Sequence, residues 1–592
     1  MATRRLRRSA TRQGAGHGAR GETGRNRRSA KAGVFPPRGG ATSAAGLKHF
    51  TIAALLIVVG LPLAMIGLQA VFPEIAAGRL GAPFTALAPV FQDPRLPQLI
   101  LNTLKLAAGV VLLSAVIGIP LGVLRGWFRI PVAPLWDLLM LVPFLIPPYI
   151  AAMGWILFLQ PAGYWQQLTG WHAGNFLFSF PGVVFVMTLN VFPVVYFAVS
   201  RGVASAGGRL ADVARVCGAP PWRALWRVTL PLAAPAMAAS LLLAFAMSIE
   251  EYGTPAVLAA NAGFFVLVTG IESRLSEWPI DLPGAAVMSL ILVALALTVF
   301  SLQRRLLRGR DFETIGGKPA AMAERELGVW RWPVLLAFTA VVMLATVAPL
   351  FAIGATAFSR TLSGGLTAGN LGLDHFHAIF TEGSAALRAF GLSIGLGLAA
   401  ALLTGLLGAA VAYVASRPAQ RGGRWLDALS ALPNTLPGVV VAVGLILLWN
   451  QPFLPFTPYN TVAILLLAYV CLLLPYPVRY AQAALRQVAG NLEAAARVHG
   501  AGIYRALWRI VLPLVWPSVL AAMVLVFAVA SRELVASLLL APAGMQTVSV
   551  FVWRQFEQGS VGQGMAVSLL TILATGGLIL AALHVLRRLQ RN

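Results

Sequence analysis

The chain has 592 residues, of which 58% are hydrophobic and only 11% charged, with a mean hydropathy of +0.78 and a formal net charge of +25. Soluble globular chains carry about 25% charged residues. A large soluble core is thereby excluded, and the class that remains is an all-α polytopic membrane protein, whose backbone satisfies its hydrogen bonds inside each helix.

Residues 1–48 hold twelve Lys or Arg and one acid, Glu22, among many Gly, Ser and Ala. Such a segment buries too little to fold, so a disordered basic tail is expected. A nucleic-acid-binding arm would share this composition; a cytoplasmic tail that helps fix orientation explains it with fewer assumptions. No short apolar stretch with a cleavage site precedes residue 49, so the first apolar run reads as an uncleaved span.

Twelve apolar segments follow, each near the ~20 residues needed to cross about 30 Å of hydrocarbon. In the first half they fall near 49–71, 98–124, 133–159, 179–200, 231–252 and 284–303. In the second half they fall near 330–354, 388–415, 425–449, 461–483, 513–538 and 563–586. "LVPFLIPPYI" in the third and "LPNTLPGVV" in the ninth predict kinked or unwound helices. The loops "RGWFR", "RRLLRGR" and "SRPAQRGGR" and the tail "RRLQRN" are basic, whereas 161–178 and 450–460 hold no Lys or Arg. The positive-inside rule then puts both termini in the cytoplasm. The expected organisation is a tail (1–48), a first half (49–310), a linker (311–329) and a second half (330–592).

Two cysteines, Cys217 and Cys471, make neither a disulfide framework nor a metal-binding CxxC, and free thiols are expected. His499 occupies the position of Cys217 in the other half and reads as a variable helix position. No phosphate-binding G-x-x-x-x-G-K-[ST] loop occurs, so this chain does not grip a nucleotide by that route. No metal-ligand cluster or catalytic constellation is present in the sequence, and neither a cofactor nor an enzymatic activity is expected.

The halves repeat. "RALWRVTLP" ends at Pro231 and "RALWRIVLP" at Pro513, an offset of 282, and at that offset Pro193, Leu210, Pro235 and Glu251 meet Pro475, Leu492, Pro517 and Glu533. An even number of spans per unit makes the repeats parallel, with a pathway expected at their interface. The repeated loop reads as a short Ala-rich helix, a Gly break and a second short helix. The residues singled out are Asp212, Ala214, Arg215, Gly218, Arg223, Trp226, Arg227 and Pro231, then Glu493, Ala496, Arg497, Gly500, Arg505, Trp508, Arg509 and Pro513. Large aromatic area with directed charge suits a groove in a partner protein. An amphipathic helix on the membrane surface would also carry Trp and Arg. The identical Gly-to-Pro spacing in both copies favours the partner.

This loop resembles the E-A-A-R-x-x-G loop of binding-protein-dependent ABC importer permeases. Asp212-Val213-Ala214-Arg215 with Gly218 fits the pattern with Asp for Glu; in the second copy Ala494 takes the Glu position and Glu493 lies one residue earlier. The resemblance implies the type I importer transmembrane fold, two ABC ATPase subunits each docked on one loop, a periplasmic or extracellular substrate-binding protein, and ATP held on the ATPase subunits. The fused arrangement, with "SIEEYGTPAVL" and "SRELVASLLLAP" after the two loops, is most similar to ferric-iron permeases. Fused permeases for 2-aminoethylphosphonate, thiamine or polyamine are the alternative. A secondary transporter driven by an ion gradient is the rival of another class; it usually needs ionisable groups in mid-membrane. Here Glu250, Glu251, Arg532 and Glu533 are expected at span ends, where they are candidates for the outer mouth of the pathway.

Overall fold

The computed structural model describes residues 39–307, 326–381, 383–416, 423–451, 454–487, 492, 495–496 and 498–589. Among them every regular element is helical. Nine helices are long and apolar enough to cross a membrane, and three bent pairs bring the count to as many as twelve.

In the first half, α1 (Gly39–Leu55) continues through one π-turn into α2 (Leu61–Val71). Then come α3 (Arg95–Trp127), α4 (Ala133–Leu145), α5 (Pro148–Leu159), α6 (Phe180–Val216), α7 (Leu230–Glu250), α8 (Leu267–Ser276) and α9 (Leu282–Leu307). The second half repeats them. α10 (Arg331–Val342) runs through a π-turn into α11 (Ala348–Phe358), followed by α12 (Ala385–Ala415), α13 (Gly423–Ala431), α14 (Gly438–Trp449), α15 (Val462–Leu473) and α16 (Pro475–Gln487). It closes with α17 (Leu512–Ala530), α18 (Val535–Leu540), α19 (Val548–Glu557) and α20 (Val561–Leu589).

Proline shapes these helices in two ways. Where Pro-rich phrases were expected to break spans three and nine, the axis turns by 97° between α4 and the helix that begins with α5, and by 113° into α14; span ten bends by 41° at Pro475. At four other prolines inside long spans the helix stays whole and widens instead, whereas Pro120, Pro193, Pro235 and Pro517 sit in α-helix without such a turn. π-turns at Leu56–Gly60, Leu225–Thr229, Met343–Val347 and Leu507–Val511 each end two residues before a proline: Pro62, Pro231, Pro349 and Pro513. Proline lacks the N–H for the i−4 carbonyl and its ring crowds that carbonyl, and one wider turn relieves both.

Small residues set how closely the helices approach. On α3, Gly118, Gly122 and Gly126 recur every four residues and face α6; a Cβ on Gly122 would lie 2.8 Å from the Tyr196 carbonyl oxygen. Lipid tails are as apolar as Leu, so close backbone packing of this kind supplies much of the association between helices.

The two halves are interlocked. α2 packs on α14 of the second half, and α11 packs on α5 of the first. The contacts correspond: a Cβ on Gly444 would meet the Pro62 carbonyl oxygen at 2.6 Å, and one on Gly154 would meet the Pro349 carbonyl oxygen at 3.0 Å. The expected first spans thus bridge the halves: α2 also packs on α9 of its own half, and α11 on α20 of its own. The main buried core runs through both halves without interruption.

Candidate functional site: paired loops and a charged cluster at mid-depth

The loop between the fourth and fifth spans differs from the expected pair of short helices. Its first arm is the end of α6, one continuous helix of 37 residues. Gly218 closes that helix at φ +89°: its N–H donates to the Arg215 carbonyl and that of Ala219 to the Ala214 carbonyl, both at 2.9 Å. This is the left-handed glycine cap that satisfies last-turn carbonyls. In the second copy Gly500 stands at φ +80°, and the Ala501 N–H donates to the Ala496 carbonyl at 3.0 Å. The second arm, Pro221–Ala224, runs through its π-turn into α7 with no gap, so it is the projecting end of a span. Pro231 therefore lies inside a longer helix.

The loops expose apolar side chains. Val216 is 89% exposed and its counterpart Val498 85%; Trp226 and Trp508 are 55% and 61% exposed. Arg215, Arg223, Arg227, Arg505 and Arg509 lie in the same stretches of chain and are exposed, as are Asp212, Pro231 and Pro513, while Ala214 and Ala496 are half-buried. Glu493 and Arg497 lie outside the described residues. Trp222 belongs to the same surface and was not singled out in the sequence. It is exposed and packs edge-to-face on Trp226 at 5.7 Å. The signal was available: at the offset of 282 it meets Tyr504, so both copies carry an aromatic there.

Glu250, Glu251, Arg532 and Glu533 lie deeper than expected. Gln303 Nε2 donates to the Ala239 carbonyl at 3.1 Å, which places Ala239 level with the Arg304–Arg305 edge of α9. Glu250 is eleven residues further along α7, about 16 Å. The far edge is marked by the Leu267 N–H on Thr103 Oγ1 at 2.8 Å and, in the second half, the Val548 N–H on Ser393 Oγ at 2.8 Å. Thr103 is twenty-two residues from Arg125 on α3, about 33 Å. The four charges are half-buried at the ends of α7 and α17, short of the level that Thr103 and Ser393 mark. The helical rod that carries Glu250 starts about ten residues before the Leu-Pro that was expected to begin it.

At that level the halves meet. Arg532 Nη1 donates to the Phe144 and Leu145 carbonyls, both at 2.9 Å, and its guanidinium lies 5.8 Å from the Phe144 ring centre. Those carbonyls end α4, where the chain turns 97° into the next helix, so a cation of the second half sits on the negative end of a broken helix of the first. Glu250 holds the matching repeat position and makes no hydrogen bond or ion pair among the described residues; the charge is inverted between copies. Glu251 accepts from the Thr254 N–H at 3.0 and 3.1 Å, and Glu533 from the Ala536 N–H at 3.1 Å. Each carboxylate thus caps the short helical turn that follows its span. The Tyr469 and Ser537 hydroxyls bond at 2.7 Å, and Tyr149 and Tyr252 of the first half pack around Trp553 of the second at 6.4 and 6.1 Å. Cys217 is exposed and Cys471 buried, both free, and no metal-binding group of His, Cys, Asp and Glu occurs among the described residues.

Residues 114–311 and 401–591 both match the family described as binding-protein-dependent transport system inner membrane component. The chain is 26% identical over 493 residues to the ferric transport system permease protein FbpB of Actinobacillus pleuropneumoniae, covering 82% of this chain and 70% of that one. It is 24% identical over 531 residues to the Fe(3+)-transport system permease protein FbpB 2 of Haemophilus influenzae, covering 89% and 96%. It is 28% identical over 214 residues to the molybdenum transport system permease protein ModB of Escherichia coli, covering 35% and 91%. Among solved structures, a chain of a bacterial ABC transporter involved in the import of the acidic polysaccharide alginate aligns with 43% of this chain and 94% of its own length, at 17% identity and a TM-score of 0.37. With both halves matched by one family and two interlocked bundles carrying it, the chain belongs to the binding-protein-dependent transport system inner membrane components: it is an ABC importer permease.

Proposed function

We propose that this chain is the fused, two-half permease of an importer that takes up ferric iron, handed over by a periplasmic or extracellular binding protein and driven by two separate ATPase subunits. The observation that carries the reading is the pair of matched loops, each with a left-handed glycine and each presenting an exposed Trp, Val and arginines. Two docking surfaces on one chain call for two ATPase subunits, and ATP stays with them. The basic loops support reading these surfaces, and both termini, as cytoplasmic. Iron ranks first because relatives named for ferric transport align along most of the chain, whereas the relative named for molybdenum aligns with one third of it.

The cluster at mid-depth supplies the gate. Arg532 bridges the halves through the main-chain carbonyls of Phe144 and Leu145. Separation of the halves frees the guanidinium and exposes Glu250, Glu251 and Glu533, and carboxylates in a low-dielectric passage attract a cationic substrate. The test is the mass of the purified complex under native conditions together with uptake of radiolabelled ferric iron into reconstituted vesicles. One permease chain with two ATPases and saturable iron uptake supports the reading; two permease chains per two ATPases, or uptake of another substrate in place of iron, overturns it.

A further inference from the structure

Consecutive main-chain carbonyls at the end of α4 are held from two sides. Phe144 and Leu145 accept from Arg532 of the second half. Pro143 and Ile146, which flank them, accept from Asn190 Nδ2 at 2.7 and 3.2 Å. Asn190 lies on α6 and is only 9% exposed. Both partners are carbonyls, so the amide has to face them with its NH2 group. Six residues further along α6, the Tyr196 hydroxyl donates to Asp137 Oδ1 at 2.7 Å, and Asp137 stands six residues before Pro143 on α4. The same carboxylate holds Arg125 of α3 in a bidentate pair at 3.0 and 3.1 Å.

Two rungs about 9 Å apart thus strap α4 to α6. In apolar surroundings no water replaces a broken rung, so α4 follows α6 wherever that helix goes. From Asn190 the helix runs on unbroken to Val216, twenty-six residues or about 39 Å, and ends in the first loop.

The second half repeats the tie near its loop and lacks the one near the gate. Asp427 stands six residues before Pro433 and accepts from Arg479 Nη1 at 3.1 Å and Gln482 Nε2 at 2.7 Å on α16. At the offset of 282, however, Asn190 meets Leu472, and Arg532 meets Glu250. Leucine donates nothing and a carboxylate only accepts, so neither can hold a carbonyl. The rod is also bent here, by 41° between α15 and α16.

We infer that Asn190 is a positioning residue that carries motion of the first loop to the carbonyls gripped by Arg532, so that the two loops act unequally and the first drives the gate. The inference rests on Arg532 as the gate and adds which loop moves it.

The test uses the full complex of permease and ATPase subunits in lipid nanodiscs, and the binding protein purified with its own cargo, so that the outcome does not depend on that cargo being iron. The readout is the ratio of ATP hydrolysis with and without the binding protein. Asn190→Leu, the residue of the other half, lowers the ratio about tenfold, as expected for two lost hydrogen bonds. Tyr196→Phe removes one hydroxyl, leaves the Arg125–Asp137 pair and lowers the ratio about threefold, which keeps the test open should Asn190→Leu fold poorly. Tyr196→Phe and Arg532→Lys are partial losses, so the ratio stays off its floor when they are combined. Acting along one line they give about threefold together, whereas independent effects multiply to about ninefold. Asp427→Asn, the matched change in the second half, stays within about twofold. Multiplying effects, an equal loss in Asp427→Asn, or full stimulation in both α6 variants while Arg532→Met loses it overturns the inference alone; full stimulation in Arg532→Met removes the gate and the inference with it.

Discussion

Replacing Gly444 with alanine tests the interlocking of the halves. The added Cβ would stand 2.6 Å from the Pro62 carbonyl oxygen and 3.0 Å from its carbon, where ordinary contact begins at 3.4 Å. The obstacle is main chain within a helix, so relief requires α2 to back away from α14 by several tenths of an ångström. Overpacking of this kind costs about 1–3 kcal/mol. Alanine is itself about 1 kcal/mol better than glycine inside a helix. The net loss at Gly444 is then ~0–2 kcal/mol, while Gly154→Ala, with 3.0 Å to the Pro349 oxygen, comes out near neutral. Gly67 on α2 and Gly354 on α11 have no neighbour within 4 Å of a built Cβ, so alanine there gains propensity without a clash. Thermal melting of the purified variants should therefore rank Gly67→Ala and Gly354→Ala highest, Gly154→Ala next and Gly444→Ala lowest. The two halves expressed as separate pieces should still co-purify, and Gly444→Leu should abolish that. If Gly444→Ala melts at or above Gly67→Ala, the first span does not pack on the opposite half in this way.

Three further outcomes are expected. Gly500 and Gly218 need a positive φ and have open space around them, so Gly500→Val strains the loop and Gly500→Asp puts a charge on its apolar face; both should abolish uptake with normal amounts in the membrane, whereas Gly500→Asn, which tolerates that conformation, keeps most of it. Normal uptake by Gly500→Asp would remove the coupling role. Glu251→Gln with Glu533→Gln should lower uptake more than the two single changes combined while stimulation of ATP hydrolysis by the loaded binding protein survives in part; wild-type uptake at limiting substrate would show that these carboxylates only cap their turns. Arg532→Met removes two charge-assisted bonds, each worth about 1.5–3 kcal/mol, and should weaken the control of ATP hydrolysis by the binding protein at least tenfold, with Arg532→Lys restoring part of it. A methionine variant with unchanged stimulation and uptake would mean that the guanidinium does not hold the gate.

The sequence alone settled what depends on neighbours along the chain. Apolar runs gave the number of spans, because transfer into hydrocarbon is a sum over consecutive residues. "LVPFLIPPYI" and "LPNTLPGVV" marked the sharp bends, since prolines clustered within a few residues remove more than one helical hydrogen bond at once. The matched glycines of the loops were found as helix ends, because only a residue without a Cβ takes that conformation at no cost. Tertiary structure decided the rest. Whether a lone proline bends or merely widens its helix depends on what packs against it, and Pro231 and Pro513 looked like span starts while lying inside longer helices. The depth of Glu250 depended on where the helix begins, and hydropathy reads the projecting, Trp- and Arg-bearing turn as loop. Arg532 finds Phe144 and Leu145 across 387 residues of sequence or more, with nothing local to announce it. Above all, the packing of each first span on the opposite half as well as on its own left no trace in hydropathy. Every helix face in a bilayer is apolar, so the choice of neighbour falls to shape, and here to Gly154 and Gly444 lying against the prolines of the opposite half.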